Sequence, residues 1–124
     1  MKTMRQLTGA AGEGHACRLL EAKGYVLLAR NWRADHGELD LVMRDGDELV
    51  FLEVKTRRGE RLGRAEEAIT PNQQRSLLAA AQVFLAGCPE YQQMVWRIDL
   101  VAITLDSWGR VQRAAHIENA VGTW

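Results

Sequence analysis

The amino-acid sequence predicts an α/β fold in which a mixed β-sheet is flanked by helices, in the order α-β-β-β-α-β-β. Two segments place apolar residues at helical spacing between helix start and stop signals. Five further segments are rich in apolar and aromatic residues or alternate polar and apolar residues, and turns containing Gly and Asp separate the segments that are adjacent in sequence. No repeat, low-complexity tract or linker divides these segments, so residues 1–124 are expected to form a single domain.

The first helix is predicted over residues 9–24. Thr8 is a residue type that caps helix N-termini, and Gly24 is a residue type that ends helices. Between them, the apolar residues recur among polar ones and are Ala16, Leu19, Leu20 and Ala22. The helix is therefore expected to begin after Thr8 and to stop at Gly24.

Three strands are predicted next, over residues 25–33, 37–44 and 48–57. The first is rich in aromatic and aliphatic residues and precedes a turn at residues 35–37. The second alternates polar and apolar residues, and residues 45–47 form a turn signal before the third. The second and third strands should therefore pair as an antiparallel hairpin.

The second helix is predicted to start at Thr70, a capping residue followed by Pro71, and to end at Gly87. Its apolar positions at helical spacing are Leu77, Leu78, Ala81, Phe84 and Leu85. Residues 95–105 and 111–117 are strongly β-prone, and a turn signal separates them. These two segments predict a closing hairpin.

Composition excludes several classes of protein. With 47% hydrophobic and 26% charged residues the chain is globular, and no apolar run approaches the ~18 residues of a membrane span. Since the N-terminus also lacks a continuous apolar stretch, a cytoplasmic location is expected. Cys17 and Cys88 fit neither a zinc nor a disulfide pattern. The net charge is zero, so attraction to nucleic acid would have to come from local clusters.

Charged residues are concentrated on one face of the first predicted hairpin. Because side chains two residues apart share a strand face, Glu38 points with Asp40, and Glu53 points with Lys55. The opposite face is expected to carry Leu39, Leu41, Met43, Val50, Leu52 and Val54. Glu38 could orient a neighbouring metal ligand, but a structural hydrogen bond near the Gly37 turn explains it equally well. It is therefore left outside the core set.

The first helix contributes a third acidic position. Glu13 precedes Ala16 and Leu20 by three and seven residues, which places it on the stripe that should pack inward. Glu13, Asp40 and Glu53 gathered in a half-buried space need protonation, a basic neighbour or a cation. Carboxylate oxygens without His or Cys match Mg²⁺, with Mn²⁺ as a substitute. A divalent-metal site is one way to satisfy all three.

Basic residues complete this candidate site. Lys55 lies two residues from Glu53 and could orient a water or neutralise charge that develops on a phosphate, which suits phosphodiester hydrolysis. Four arginines follow within eight residues, at Arg57, Arg58, Arg61 and Arg64. Arginine is suited to phosphate oxygens, so this segment is the candidate nucleic-acid contact.

Each of these residues also has a structural interpretation. Glu13 could be an acid favoured by the dipole of its helix, and Asp40 and Glu53 could be solvated positions on an exposed sheet face. Lys55 could be only their ion-pair partner, and the arginines could belong to a solvated loop. The combination of acids with a neighbouring lysine favours the site over these readings.

Other polar residues are assigned structural roles. Asp99 lies inside an apolar strand, which predicts an internal hydrogen-bond partner. His15, His36 and His116 lack mutual ligand spacing and are assigned neither metal nor catalysis. The four tryptophans are expected to serve packing, although an exposed one could stack on a base.

A set of ordered motifs carries a family resemblance. The motifs are Gly12-Glu13-x-x-Ala16, Gly24-Tyr25, Arg30-Asn31-x-Arg33, Gly37-Glu38-Leu39-Asp40-Leu41, Phe51-Leu52-Glu53-Val54-Lys55-x-Arg57, Ala68-Ile69-Thr70-Pro71 and Arg97-Ile98-Asp99. Together they span nearly the whole chain and resemble the YraN-like family of small bacterial proteins. The resemblance implies a predicted endonuclease with the restriction-endonuclease-like fold, similar to archaeal Holliday-junction resolvases.

The resemblance also implies residue roles. Glu13, Asp40 and Glu53 would form the metal site, and Lys55 would be the catalytic lysine. One departure is visible, because Gln73 stands where the family would have a lysine, and this could weaken a DNA contact at the second helix.

The leading hypothesis is therefore a Mg²⁺- or Mn²⁺-dependent endonuclease acting on DNA, including branched or structured DNA by analogy with the resolvases. The alternative is a non-catalytic nucleic-acid-binding or accessory protein on the same scaffold, which the neutral charge and Gln73 motivate. A homodimer or a protein partner also stays open, because junctions have two-fold symmetry and one small domain covers little DNA.

Overall fold

The computed structural model describes residues 4–59 and 69–122, and its elements follow the predicted order. They are α1 (Met4–Ala22), β1 (Val26–Ala34), β2 (Gly37–Asp45), β3 (Glu48–Arg58), α2 (Pro71–Ala86), β4 (Val95–Leu105) and β5 (Val111–Ile117). A short 3-10 turn at Pro89–Tyr91 was not predicted. The predicted α/β class is confirmed. Within the described ranges, no helix combines the length and apolar character needed to cross a membrane.

Helix α1 is longer at its N-terminal end than the sequence predicted. Thr8 lies inside the helix, so its assignment as the N-cap was wrong. The stop signal was correct, because Gly24 adopts a φ of 96° and the N–H groups of Gly24 and Tyr25 donate to the carbonyls of Glu21 and Leu20. A capping residue type marks a helix start only where the preceding residues cannot continue the helix.

The five strands form one mixed sheet in the order β1-β2-β3-β4-β5. Strands β3 and β4 are parallel, with Glu48 opposite Val95 and Arg58 opposite Leu105, and α2 lies in the connection between them. The other three pairings are antiparallel, which confirms both predicted hairpins. The parallel central pair therefore joins the α1-to-β3 half of the chain to the closing hairpin.

Each face of the sheet is covered by one helix. Against α1, the buried residues are Ala16, Cys17, Leu20, Tyr25, Leu41, Met43, Val50, Leu52, Val101, Ile103 and Leu105. Against α2, they are Leu39, Val42, Leu49, Phe51, Leu77, Ala80, Ala81, Phe84, Ile98 and Val121. Burial of these apolar faces is the main favourable contribution to the stability of the fold.

The alternation of β2 breaks at Asp40. Leu41 and Met43 pack with α1, whereas Leu39 packs with α2, so the prediction that all three share one face was wrong for Leu39. The backbone register of β2 with β3 runs from Asp45 to Leu41 and stops there. Beyond that point Oδ2 of Asp40 accepts a hydrogen bond of 2.8 Å from the backbone N–H of Val54. The two strands therefore separate at this acidic residue.

The contact of α1 with the sheet depends on Gly12. A Cβ at Gly12 would overlap the hydroxyl of Thr56 on β3, whereas a Cβ at Gly9 would meet nothing within 4 Å. Gly12→Ala is expected to lower the free energy of unfolding by about 1–3 kcal/mol through overpacking. Gly9→Ala, the matched control on the same helix, should be neutral or stabilising because alanine favours helix.

Urea denaturation of both variants tests this prediction. Removing the obstructing hydroxyl, in a Thr56→Ala background, should reduce the cost of Gly12→Ala, since Oγ1 of Thr56 is buried without a hydrogen-bond partner among the described residues. Equal stability of Gly12→Ala and Gly9→Ala would contradict the close approach of α1 to β3.

Candidate functional site

The candidate site lies where β2 separates from β3 and α1 passes close to β3. Gly12 brings α1 against Thr56, and the next residue, Glu13, is half-buried. Asp40 is fixed to Val54 by the hydrogen bond described above. Where the two strands separate, their backbones no longer hydrogen-bond to each other. Polar side chains lie in the space between them.

Glu13 is held by β1. The amide of Asn31, oriented with its nitrogen toward the carboxylate, donates to Oε2 of Glu13 at 3.0 Å and to Oε1 at 3.3 Å. Asn31 itself has a φ of 49°, a conformation that asparagine tolerates better than most residues. Burial and the charges of Glu38 and Glu53 raise the pKa of Glu13, and they outweigh the opposing effects of Arg30 and Asn31.

The pKa values of Asp40 and Glu53 are raised as well. Burial, the charge of Glu53 and the charges of Glu13 and Glu38 hold the pKa of Asp40 well above its ordinary range, despite the hydrogen bond from Val54. Burial also raises the pKa of Glu53, although Lys55 acts in the opposite direction. Ionised carboxylates are therefore unfavourable here unless a further positive charge is present.

Lys55 contacts one of these carboxylates. Its Nζ lies 3.2 Å from Oε1 of Glu53, and the side chains of the two residues are 22% and 17% exposed. An ion pair at this degree of burial is shielded from water better than a surface pair. The lysine is thus positioned beside the Glu53 carboxylate, as the spacing of the two residues predicted.

Glu38 belongs to the same cluster. The sequence alone did not decide whether it would. Its charge raises the pKa of Glu13, Asp40 and Glu53, so its carboxylate lies within electrostatic reach of all three. It also forms a 3.7 Å ion pair with Arg33. The short separation of Glu38 from Asp40 in the sequence was the available signal, and the position of Glu38 next to a turn concealed it.

The donor set has the chemistry that a hard divalent cation prefers, although the ligand atoms of Glu13, Asp40 and Glu53 do not all lie within 4.8 Å of one another. It consists of carboxylate oxygens, and their mutual repulsion would be relieved by a dication. Mg²⁺ binds proteins through one or two carboxylates and keeps several waters, so the acids need not form a closed cage. The metal roles of Glu13, Asp40 and Glu53 remain predictions that this chemistry supports.

A second acidic group lies on the far half of the sheet. Within the described ranges, the residues whose ligand-type atoms lie within 4.8 Å of one another are Asp99, His116 and Glu118, a spacing that could hold a metal ion. Asp99 is fully buried and accepts hydrogen bonds from Arg97, from Nε2 of His116 at 2.8 Å and from the N–H of Asn119 at 3.0 Å.

Arg97 already neutralises this second group. Its guanidinium, 7% exposed, contacts Asp99, Asp45, Glu48 and Glu118 and donates to the hydroxyl of Tyr25 at 2.7 Å. Although burial alone would raise the pKa of Asp99, hydrogen bonds from His116, Asn119 and Arg97 lower it. We therefore interpret the group as a structural network centred on an arginine.

Two predicted nucleic-acid contacts can be located. Arg57 and Arg58 end β3, beyond Lys55 on the same strand. The other two arginines of the segment, Arg61 and Arg64, lie outside the described residues. Gln73, at the start of α2, closes a capping box in which its side chain accepts from the N–H of Thr70 at 2.9 Å. Its structural role explains a glutamine at this position.

The chain is similar to known proteins that share one family description. The model of the uncharacterised protein family UPF0102 matches residues 12–103. A UPF0102 protein from Pelotomaculum thermopropionicum is 44% identical over 97% of this chain and 99% of its own length. UPF0102 proteins from Roseiflexus castenholzii and Chloroflexus aurantiacus are 42% and 41% identical, each over 98% of both chains.

Proposed function

The chain belongs to the uncharacterised protein family UPF0102, and since that description names no activity, we propose a function from the site itself: a divalent-metal-dependent endonuclease that hydrolyses phosphodiester bonds in DNA. Membership confirms the resemblance drawn from the ordered motifs. The activity and the substrate are the proposal.

One observation carries the proposal. Glu13, Asp40 and Glu53 come from a helix and two strands. Burial raises the pKa of all three, Glu53 also raises the pKa of Asp40 and of Glu13, and the ammonium of Lys55 pairs with Glu53. Folding gains nothing from such repulsion, and an ordinary core would contain apolar residues there. Clusters that oppose stability in this way are typical of sites where function requires the charges.

Each residue of the site has a separate proposed role. Asp40, Glu53 and Glu13 would hold Mg²⁺, which when bound supplies Lewis-acid chemistry at a phosphate oxygen. The N–H of Val54 fixes the orientation of the Asp40 carboxylate, and Asn31 does the same for Glu13. Lys55, paired with Glu53, would stabilise negative charge that develops on the phosphate in the transition state.

The basic end of β3 supports the choice of a nucleic-acid substrate. Arg57 and Arg58 continue the strand that carries Glu53 and Lys55, so phosphates bound there would lead toward the acidic cluster. DNA is proposed as the nucleic acid, and action on branched or structured DNA is part of the proposal by analogy with the resolvases.

A cleavage assay tests the proposal. The full chain is incubated with Mg²⁺ or Mn²⁺ and labelled single-stranded, duplex, flap and four-way DNA. Cleavage of at least one substrate is expected, and Asp40→Asn should reduce it by about 10²-fold or more, as loss of an electrostatic catalytic group does. Glu90→Gln, which neutralises an exposed acid on the 3-10 turn, is the matched control and should cleave normally.

Metal binding is measured separately from turnover. Mg²⁺ or Mn²⁺ should raise the melting temperature of wild type and Glu90→Gln, since a ligand bound only by the folded state stabilises it, and Asp40→Asn should lose most of this rise. Salt-dependent DNA binding without product, unchanged in Asp40→Asn, would contradict the nuclease and favour a non-catalytic nucleic-acid-binding protein on this scaffold.

A further inference from the structure

A large aromatic side chain is exposed at the turn between β4 and β5. Trp108 is 83% exposed, the highest value among the large apolar residues that the structure describes. Oδ1 of Asp106 accepts hydrogen bonds from the backbone N–H groups of Trp108 at 2.9 Å and Arg110 at 2.8 Å. The turn is therefore held in a defined conformation, and it presents most of the indole to solvent.

The surroundings of this turn are basic. Arg110 is exposed within the turn, and the end of β3 runs beside β4, with Arg58 opposite Leu105. A Cβ placed on Gly109 would lie 3.6 Å from Nη2 of Arg58, which locates that guanidinium at the turn. The carboxylate of Asp106 is engaged by two backbone N–H groups. An exposed indole flanked by arginines is complementary to a base flanked by phosphates.

The turn lies at the same end of β3 as the candidate site. Arg58 is five residues beyond Glu53, which corresponds to about 16 Å along a strand. At about 3.4 Å per nucleotide in a B-form strand, this is about five nucleotides. One nucleic-acid strand could therefore contact both places.

We propose that the β4–β5 turn binds an unpaired nucleic-acid segment, with Trp108 stacking on a base and Arg58 and Arg110 contacting the neighbouring phosphates. The inference rests on the proposed function in that it assumes a nucleic-acid substrate, and it specifies the substrate class as one with unpaired bases. In a duplex the base faces are covered by neighbouring pairs, so an indole at this turn favours unpaired strand.

Fluorescence anisotropy tests the proposal. The full chain is titrated into labelled 20-nucleotide oligothymidine and into a labelled 20-base-pair duplex, with EDTA present to prevent cleavage. Trp108→Ala should weaken oligothymidine binding about fivefold to a hundredfold, and Trp108→Phe, which keeps an aromatic face, should retain most of the affinity. Duplex binding should change by less than about twofold, because stacking contributes little there.

The controls separate stacking from loss of exposed apolar surface. Val95→Ala removes a 66% exposed apolar side chain at the opposite end of β4 and should leave oligothymidine binding unchanged. Equal affinity of Trp108→Ala and wild type, or no binding by wild type, would overturn the inference. It would also be overturned if Trp108→Ala altered only the mass measured by light scattering, which would make the turn a contact between copies of the chain.

The two proposals can fail independently. Metal-dependent cleavage combined with Trp108-independent binding would refute this inference and leave the nuclease in place. Trp108-dependent binding of unpaired strand without cleavage would support the inference and refute the nuclease.

Discussion

Replacing Lys55 with methionine is expected to lower the rate of phosphodiester cleavage by about 10²–10³-fold, the cost of removing one preorganised electrostatic group. The ammonium is held 3.2 Å from Glu53, so it need not be reorganised when charge develops on the substrate. Methionine keeps a similar length and apolar stem, so packing should be largely preserved. Because Lys55 is not proposed to bind the metal, cation binding should persist in this variant.

The measurement therefore pairs single-turnover cleavage with melting temperature in Mg²⁺. Lys55→Met should cleave slowly while its melting temperature still rises with the cation, in contrast to Asp40→Asn. Lys23→Met, the same change at an exposed position just after α1, is the matched control. If Lys55→Met and Lys23→Met cleave at the same rate, Lys55 has no catalytic role.

The largest loss of stability is expected from Arg97→Met, at about 3–5 kcal/mol of unfolding free energy. The substitution leaves Asp99, which is fully buried, without the guanidinium that neutralises it. Glu118→Gln is the comparison, because Glu118 meets the same arginine but is 60% exposed, and it should cost less than about 1 kcal/mol. Similar losses in both variants would contradict a buried network centred on Arg97.

The same network predicts a dependence on acid. Since the folded state lowers the pKa of Asp99 below its ordinary value of 3.8, the ionised carboxylate stabilises the fold above about pH 4. That contribution is lost as the pH falls through the lower folded-state value. Urea denaturation at several pH values should therefore show wild type and Asp99→Asn converging in stability below about pH 4, and a constant difference between them would refute the linkage.

Local patterns in the sequence predicted the elements well. The bounds of β4 and β5 agree with the prediction, and α2 begins at Pro71 after the Thr70 cap as expected. These segments carry their own start and stop signals within a few residues, so nothing distant needs to be known. The pairing of Glu53 with Lys55 was predictable for the same reason, because residues two apart in a strand are neighbours.

The features that escaped prediction depend on distant residues. The break at Asp40 arises when its carboxylate, rather than its strand backbone, meets Val54, fourteen positions away. Arg97 meets Tyr25 and Glu48, which are 72 and 49 positions away, and His116 meets Asp99 from the neighbouring strand. No periodicity encodes such contacts. The exposure of Trp108 likewise becomes visible only when the turn is seen in place.

The parallel pairing of β3 with β4 has a consequence for how the chain emerges during synthesis. Residues Glu48 and Val95 are partners, so β3 is complete long before its neighbour exists. Until then its edge offers unsatisfied backbone groups alongside Leu49, Val50 and Phe51, a combination prone to intermolecular association. Because contacts distant in sequence also form slowly, docking of the C-terminal hairpin is expected to limit the folding rate. Once the hairpin has docked, the edge of β3 is paired and no longer open to intermolecular association.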